Sequence, residues 1–447
     1  MGHAARALGQ RGPGLRSAPL KGTTRAAQEA ATPRAVWLRF LLVAAYAALI
    51  LSRLPNVFIK GRFWAEEGAV YFFRAWREPW PDALVWVHTG YLNLTASASA
   101  VLARYLVPLP DAPFVTSTIS LLVQLLPAIL LCVSGIRWLR HPLALWCAML
   151  LLAAPPFAGE VWLNTITSQF HLTLAAAIIL ASEVRSGSAG VLQNAVLLWT
   201  PLSSPGSVAL APLFVLRALA DRSRGHATQA GLMSIGAVVQ ALVLLRHPVA
   251  GRDHGLGPIG LVCVFYVKNI ITPLLGESAA LGRGRQMEAA FLHHTPVFFP
   301  VVITVAALGL AAIAAWRSRD RAIIYLFSAA VVVAFVSYAA ALTLGHPFYM
   351  LRPGFGARYA YVPNVLLSLA LFGLAISGTR LVRPMAALLC VAILFTGARW
   401  YYDVAPAMAN GPAWSVEVRK LAAAPDARLQ LWPPWFSMYL PPPARRR

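Results

Sequence analysis

Apolar runs long enough to cross a bilayer recur along this chain, and the segments 41–50, 121–132, 301–315 and 323–344 lie at the hearts of four of them. A spanning helix needs about 20 mainly apolar residues. Lipid offers backbone groups no water, so only helices and closed barrels can cross it. The runs are continuous and lack a two-residue alternation, which selects helices. Charged residues make up 12% of the chain, against about 25% in a soluble domain, so most of its surface is not built to face water. The expected fold is an all-α polytopic membrane protein.

The formal net charge of +22 suggests nucleic acid at first sight. The basic residues are, however, spread through short loops between apolar runs, where membrane topology accounts for them. Nucleic acid is therefore excluded as a partner, and membrane lipids are the expected surroundings. Only four of the 38 basic residues are lysines, a bias that suggests GC-rich, bacterial coding. The four cysteines, Cys132, Cys147, Cys263 and Cys390, lie in apolar stretches without a CxxC pair, so neither a zinc site nor a disulfide framework is indicated.

Short basic loops should face the cytoplasm. A polar tail at 1–35 carries Arg6, Arg11, Arg16, Lys21, Arg25 and Arg34, and is expected to be a disordered cytoplasmic segment ahead of a retained anchor. Basic loops follow at 137–140, 185, 217–224, 317–321 and 380–383. The path they define crosses at 36–54, 113–135, 142–158, 166–182, 190–203, 206–219, 230–246, 296–316, 322–344, 361–377 and 384–400. That makes about eleven transmembrane helices, in a range of 10–13, within a membrane domain at 36–400. Segments 91–109 and 258–276 read as interfacial or re-entrant helices on the outer side. If both cross, there are thirteen helices and the sidedness between them inverts. The tail at 401–447 falls outside. It reads as non-helical: its proline-dense end, with Trp432, Pro433, Pro434, Trp435 and Phe436, suits a small extended or hairpin unit on the outer face. On this path only Glu29, Glu183, Asp221 and Asp320 lie inside, so the outer loops carry the chemistry.

The outer loop at 55–112 holds the most informative stretch. Ala65, Glu66, Glu67 and Gly68 sit between the aromatic residues Trp64 and Tyr71, about ten residues beyond the first helix. Adjacent carboxylates repel, so one of them can hold a raised pKa and act as a base. The pair also offers oxygen ligands to a divalent cation, the one cofactor the sequence suggests. A solvated charged loop is the plainer alternative.

In position and company the motif resembles that of the GT-C superfamily, polytopic glycosyltransferases that use lipid-phosphate-linked sugars. There an acidic motif in the first outer loop carries the catalytic carboxylate, here Glu66 or Glu67. The resemblance extends through His88, Tyr91 and Asn93, then Gly159, Glu160 and Asn164, then Ser204, Pro205 and Gly206, and finally Arg358 with Tyr359. It covers most of 36–440. Such motifs usually contain an aspartate, and this one has two glutamates, which weakens the case for a metal more than the case for a base.

Two further clusters stand at outer helix ends. Glu160, Asn164, Gln169 and His171, with His88, Tyr91 and Asn93, offer hydrogen bonds to sugar or acceptor hydroxyls. Helix capping and interhelical bonding are the structural alternative. Arg352 and Arg358, with Tyr359, offer forked donors to a donor phosphate. Lipid headgroups would serve the arginines equally well, and Lys268, Arg283 and Arg285 read as solvated. Dinucleotide, Walker A, GxSxG and HExxH motifs are absent from the sequence.

The resemblance implies inverting transfer of a sugar from a polyprenyl-phosphate donor to a cell-envelope glycan or lipid acceptor, on the outer face of the plasma membrane. A transporter or flippase for a lipid-linked or small anionic solute is the rival from another class, and would place charges near the bilayer midplane. A non-catalytic relative acting as an assembly partner is the third.

Overall fold

A computed structural model describes residues 33–248, 256–341 and 347–441. Of the expected basic tail only 33–35 fall within the described residues, and these open the first helix. The chain forms two compact units, Met1–Leu42 and Val43–Arg447. In the first, Trp37 and Phe40 meet edge to face on consecutive helical turns, with ring centroids 5.9 Å apart. Among its described residues the second unit is mainly helical, with two short antiparallel hairpins.

The protein is a helical, multi-pass membrane protein. Among the described residues eight helices are long and apolar enough to span: Pro33–Arg53, Leu109–Val133, Arg224–Arg246, Pro258–Leu275, Phe298–Ser318, Arg321–Ala339, Ala357–Ser377 and Val382–Trp400. The expected path of eleven differs in its short members. Pro142–Ala153 and Ser168–Ala181 have 12 and 14 residues, below the length of a full crossing. The two crossings expected at 190–203 and 206–219 form one bent pair, Gly187–Ser203 and Pro205–Asp221, turned by 120° at Ser204. Pro205 has no N–H to continue the first helix, so the chain turns there. Segment 91–109 begins as a hairpin strand and continues as the 13-residue helix Leu94–Leu106, also short of a crossing. Segment 258–276, expected at the interface, is helical over a full spanning length.

Four helices define two ends of the second unit. Gln169, Val336, Ser337 and Arg358 line one cavity, while Ala181, Arg321 and Ser377, at the other ends of the same helices, line another. Pro205–Asp221 likewise runs from the first cavity to the second. Arg358 and Ser377 are separated by about 28 Å at 1.5 Å per residue, close to the thickness of a hydrocarbon core. Basic loops 137–140, 217–224 and 317–321 converge on the second cavity, as a common sidedness requires.

The C-terminal segment corrects one expectation. It contains the ten-residue helix Trp414–Ala423 as well as the expected hairpin, Arg428–Gln430 paired with Ser437–Tyr439. Glu417 holds the two pieces together, accepting from Lys420 Nζ at 2.7 Å and from the Gln430 N–H at 2.9 Å. Leu429, Leu431, Met438 and Leu440 enter one apolar core with Phe63, Tyr71 and Phe72 of the acidic loop. Trp64 and Trp432 share a parallel backbone bridge, and the Ala65 N–H donates to the Trp432 carbonyl at 2.6 Å. Gly68 is the close approach: a Cβ there would stand 2.9 Å from Leu431 Cδ1 and 3.0 Å from Phe63 Cβ.

Candidate functional site

The two adjacent glutamates have different surroundings. Glu67 opens a π-helical turn, Glu67–Phe72, and is completely buried. Its Oε2 accepts from the Trp64 N–H at 3.0 Å; its Oε1 accepts from the Thr165 N–H at 2.8 Å and the Thr165 hydroxyl at 2.6 Å. Burial pushes its carboxyl above the usual range, while those three donors and the Arg62 guanidinium pull the other way. Glu66 instead lines a cavity of about 410 Å³. Both Glu67 oxygens are thus committed to the loop's own hydrogen bonds, and the two carboxylates of the pair have different surroundings. Among the described residues no group of three or more His, Cys, Asp or Glu side chains is placed to hold a metal ion.

Arg62 shows why the loop keeps this shape. Its buried guanidinium donates to the carbonyls of Trp162 and Leu163 at 2.9 Å each and of Met408 at 3.2 Å, and lies over the rings of Trp64 and Trp432. Burial lowers its pKa to about 10, with the Glu67 carboxylate opposing the shift. Arg62 and Glu67 thus tie the acidic loop to segment 157–167, and Arg62 ties both to the tail.

The cavity's second wall is a hairpin, Val87–His88 paired with Tyr91–Leu92, so that His88 faces Tyr91. Thr89 and Gly90 both have positive φ, 50° and 83°, the requirement of a two-residue type I′ turn. Gln240, from the spanning helix Arg224–Arg246, grips the hairpin end: its Oε1 accepts from the Leu92 N–H at 3.4 Å and its Nε2 donates to the Leu92 carbonyl at 3.2 Å. His88, Thr89 and Tyr91 line the cavity, and Gln169 Nε2 donates to the Tyr91 hydroxyl at 3.4 Å. Burial pushes the His88 imidazole below its usual range; the Glu66 carboxylate opposes this and Arg74 adds to it. Tyr71 also lines the cavity, and its buried hydroxyl has no hydrogen-bond partner among the described residues.

Arg358 and Glu160 form an ion pair on the remaining polar wall, 198 positions apart in sequence, and Arg358 also lies over the Tyr359 ring. Both members of the pair and Tyr359 line the cavity with Glu66. The lining also includes the apolar side chains of Val208, Ala209, Leu244, Val336 and Ala340. Such a site is suited to an amphipathic ligand.

Five residues expected from the sequence lie elsewhere, or have their polar atoms engaged. Asn93 caps helix Leu94–Leu106, accepting from the Ala96 N–H at 3.2 Å and donating to the Ile166 carbonyl at 3.1 Å. Asn164 donates to the Glu160 carbonyl at 2.8 Å and accepts from Thr167, shaping the loop that carries Glu160. His171 is buried between Trp162 and Tyr361, and its Nε2–H donates to the Val161 carbonyl at 3.0 Å. Arg352 pairs with Glu288 at 3.4 Å and lies over Tyr349, outside the cavity lining. Glu67 is the fifth. Lys268 is not solvated either: its buried Nζ donates to the carbonyls of Arg352, Pro353 and Phe355 at 3.0, 3.4 and 2.6 Å, fixing the loop ahead of Arg358.

Sequence reasoning passed over Arg62, Tyr71, Thr89, Thr165 and Gln240 as contributors to the site. Arg62 and Tyr71 flank the acidic pair closely enough to have drawn notice. Nothing local marks Thr165 or Gln240, whose partners are 98 and 148 positions away. No protein-family model matches the chain, and no curated protein sequence is significantly similar to it.

Proposed function

We propose that the chain is a membrane-embedded glycosyltransferase that takes a sugar from a polyprenyl-phosphate donor on the outer face of the plasma membrane. The observation that carries this reading is the shared cavity of Glu66 and Arg358, whose lining mixes charged and polar side chains with apolar ones. A free carboxylate and a guanidinium must flank one anomeric centre if the first is base and the second binds phosphate, because reacting atoms must approach within about 3–3.5 Å. The mixed polar and apolar lining suits a lipid-linked sugar better than a soluble nucleotide.

In the proposed step the acceptor hydroxyl attacks the anomeric carbon and gives its proton to Glu66. The bond from that carbon to the phosphate oxygen breaks, and the lipid phosphate departs with the electron pair. It is a competent leaving group, so a second carboxylic acid to protonate it is not required, unlike hydrolysis between two opposed carboxylates. Glu160 and Tyr359 orient Arg358, whose remaining N–H groups face the phosphate. His88, Tyr91, Gln169 and Tyr71 supply hydrogen bonds to sugar or acceptor.

The test is transfer from a radiolabelled polyprenyl-phosphate sugar in membranes at saturating donor. Glu66→Gln keeps the shape of the side chain and removes its basicity, and should lower transfer by about 100- to 10,000-fold. Robust transfer by Glu66→Gln would remove Glu66 as the base. If the purified protein moves a lipid-linked sugar between leaflets and forms no glycosidic bond, the protein is a transporter.

A further inference from the structure

Two cavities adjoin at the end of the second unit opposite Glu66. One, of about 730 Å³, is lined by charged side chains that include Arg137 and Arg319. The other, of about 670 Å³, is lined by Arg317 and Arg319 together with Trp316 and Ile324. Arg319 and Arg321 belong to both.

The carboxylates in this region are already engaged. Asp221 pairs with Arg321, with Arg217 at 3.3 Å and with His226 at 3.3 Å. Asp320 caps the helix Arg321–Ala339, its Oδ1 accepting from the Ala322 N–H at 2.9 Å. Glu183 lies 3.6 Å from Arg185. Arg137, Arg317 and Arg319 remain, all exposed, and none pairs with a carboxylate among the described residues. Two separate loops thus bring three guanidinium groups without an ion-pair partner among the described residues to adjoining concavities, whose linings also hold Glu183, Asp221 and Asp320 and an apolar shoulder. Trp316, 75% exposed on the last turn of Phe298–Ser318, stands on that shoulder.

We propose that this end holds the phosphate headgroup of an anionic membrane lipid, clamped by Arg137, Arg317 and Arg319, with its acyl chains along Trp316 and Ile324. Guanidinium groups bind phosphate oxygens as a fork. The exposed tryptophan at a spanning helix end marks the headgroup level, where such a lipid is presented. The site is independent of the Glu66 cavity and of any reaction there.

The test uses the purified full chain in zwitterionic detergent, titrated with a short-chain phosphatidylglycerol and, separately, with the matching phosphatidylcholine. Bound lipid is counted by native mass spectrometry, and thermal unfolding is followed in parallel. Phosphatidylglycerol should bind saturably and raise Tm, while phosphatidylcholine does neither. Near a charged surface each arginine contributes about fivefold in affinity, so Arg137→Gln/Arg319→Gln should weaken binding by about 25-fold. Arg140→Gln, an exposed change at the same end but outside both cavity linings, should leave the affinity unchanged. Equal phosphatidylglycerol binding by the double variant and the native protein overturns the site. Saturable stabilisation by inorganic phosphate without any by phosphatidylglycerol overturns the lipid as its occupant.

Discussion

Glu67 and Thr165, 98 positions apart, are joined twice: the backbone N–H and the hydroxyl of Thr165 both donate to one carboxylate oxygen, at 2.8 and 2.6 Å. This double bond pins the acidic loop to the segment that carries Glu160. It also divides the labour between neighbouring glutamates. Glu67→Gln turns one acceptor oxygen into an NH₂ facing a backbone donor. Leaving a buried donor unsatisfied costs about 1–3 kcal/mol, so the variant should unfold at a lower temperature in detergent. Glu66→Gln should leave Tm nearly unchanged while removing transfer. Equal Tm values for Glu67→Gln and the native protein would contradict the buried network.

A pH dependence follows from His88. Burial lowers its folded-state pKa, so the unfolded chain takes up a proton first as pH falls. The contribution of His88 to stability is therefore complete above the ordinary histidine range. It is lost as pH falls from that range toward the lowered folded value. Thermal unfolding at pH 7.5 and pH 5 should show a larger drop for the native protein than for His88→Gln. Other titrating groups are common to both proteins, and equal drops would show that His88 is not desolvated as described.

The Glu160 and Arg358 pair is partly buried, with side-chain exposures of 24% and 31%. Removing either partner leaves the other charge uncompensated in the cavity. A double-mutant cycle with Glu160→Gln and Arg358→Gln, read by unfolding, should give a coupling of about 0.5–3 kcal/mol. A coupling near zero would mean the pair does not persist in solution. In the transfer assay Arg358→Gln should raise the donor concentration needed, whereas Glu66→Gln lowers the rate at saturation.

Sidedness is open to a direct check. Reporters active only outside the cytoplasm should be silent when fused at Gly187 or Arg319, and active when fused at Asp426. The reverse pattern would invert the proposed orientation while keeping the two ends of the second unit distinct.

The lipid-facing lengths were legible because a bilayer imposes them: Phe298–Ser318 and Arg321–Ala339 stand close to where unbroken apolar sequence put them. The break at 204–205 was also legible, since separate crossings were drawn on either side of it, but that the two halves form one pair bent by 120° was not, because that angle is set by packing and not by hydropathy. Glu66 and Arg358 were readable as neighbours because both were assigned to outer loops. The choice between Glu66 and Glu67 was not readable. The π turn and a threonine 98 positions away decide which carboxylate is buried. Asn93, Asn164 and His171 looked like ligand-binding residues because polar side chains at helix ends do either job; Asn93 caps a helix, while Asn164 and His171 bond the backbone of segment 160–167.

The Trp76 indole N–H donates to the Pro441 carbonyl, 365 positions later, and Trp64 and Trp432 share a backbone bridge close by. A ribosome delivers these partners far apart in time. The acidic loop therefore waits through the insertion of every intervening helix before the strands and tryptophans that seat it arrive. A chain halted before Leu429 would be membrane-embedded yet unable to seat the loop.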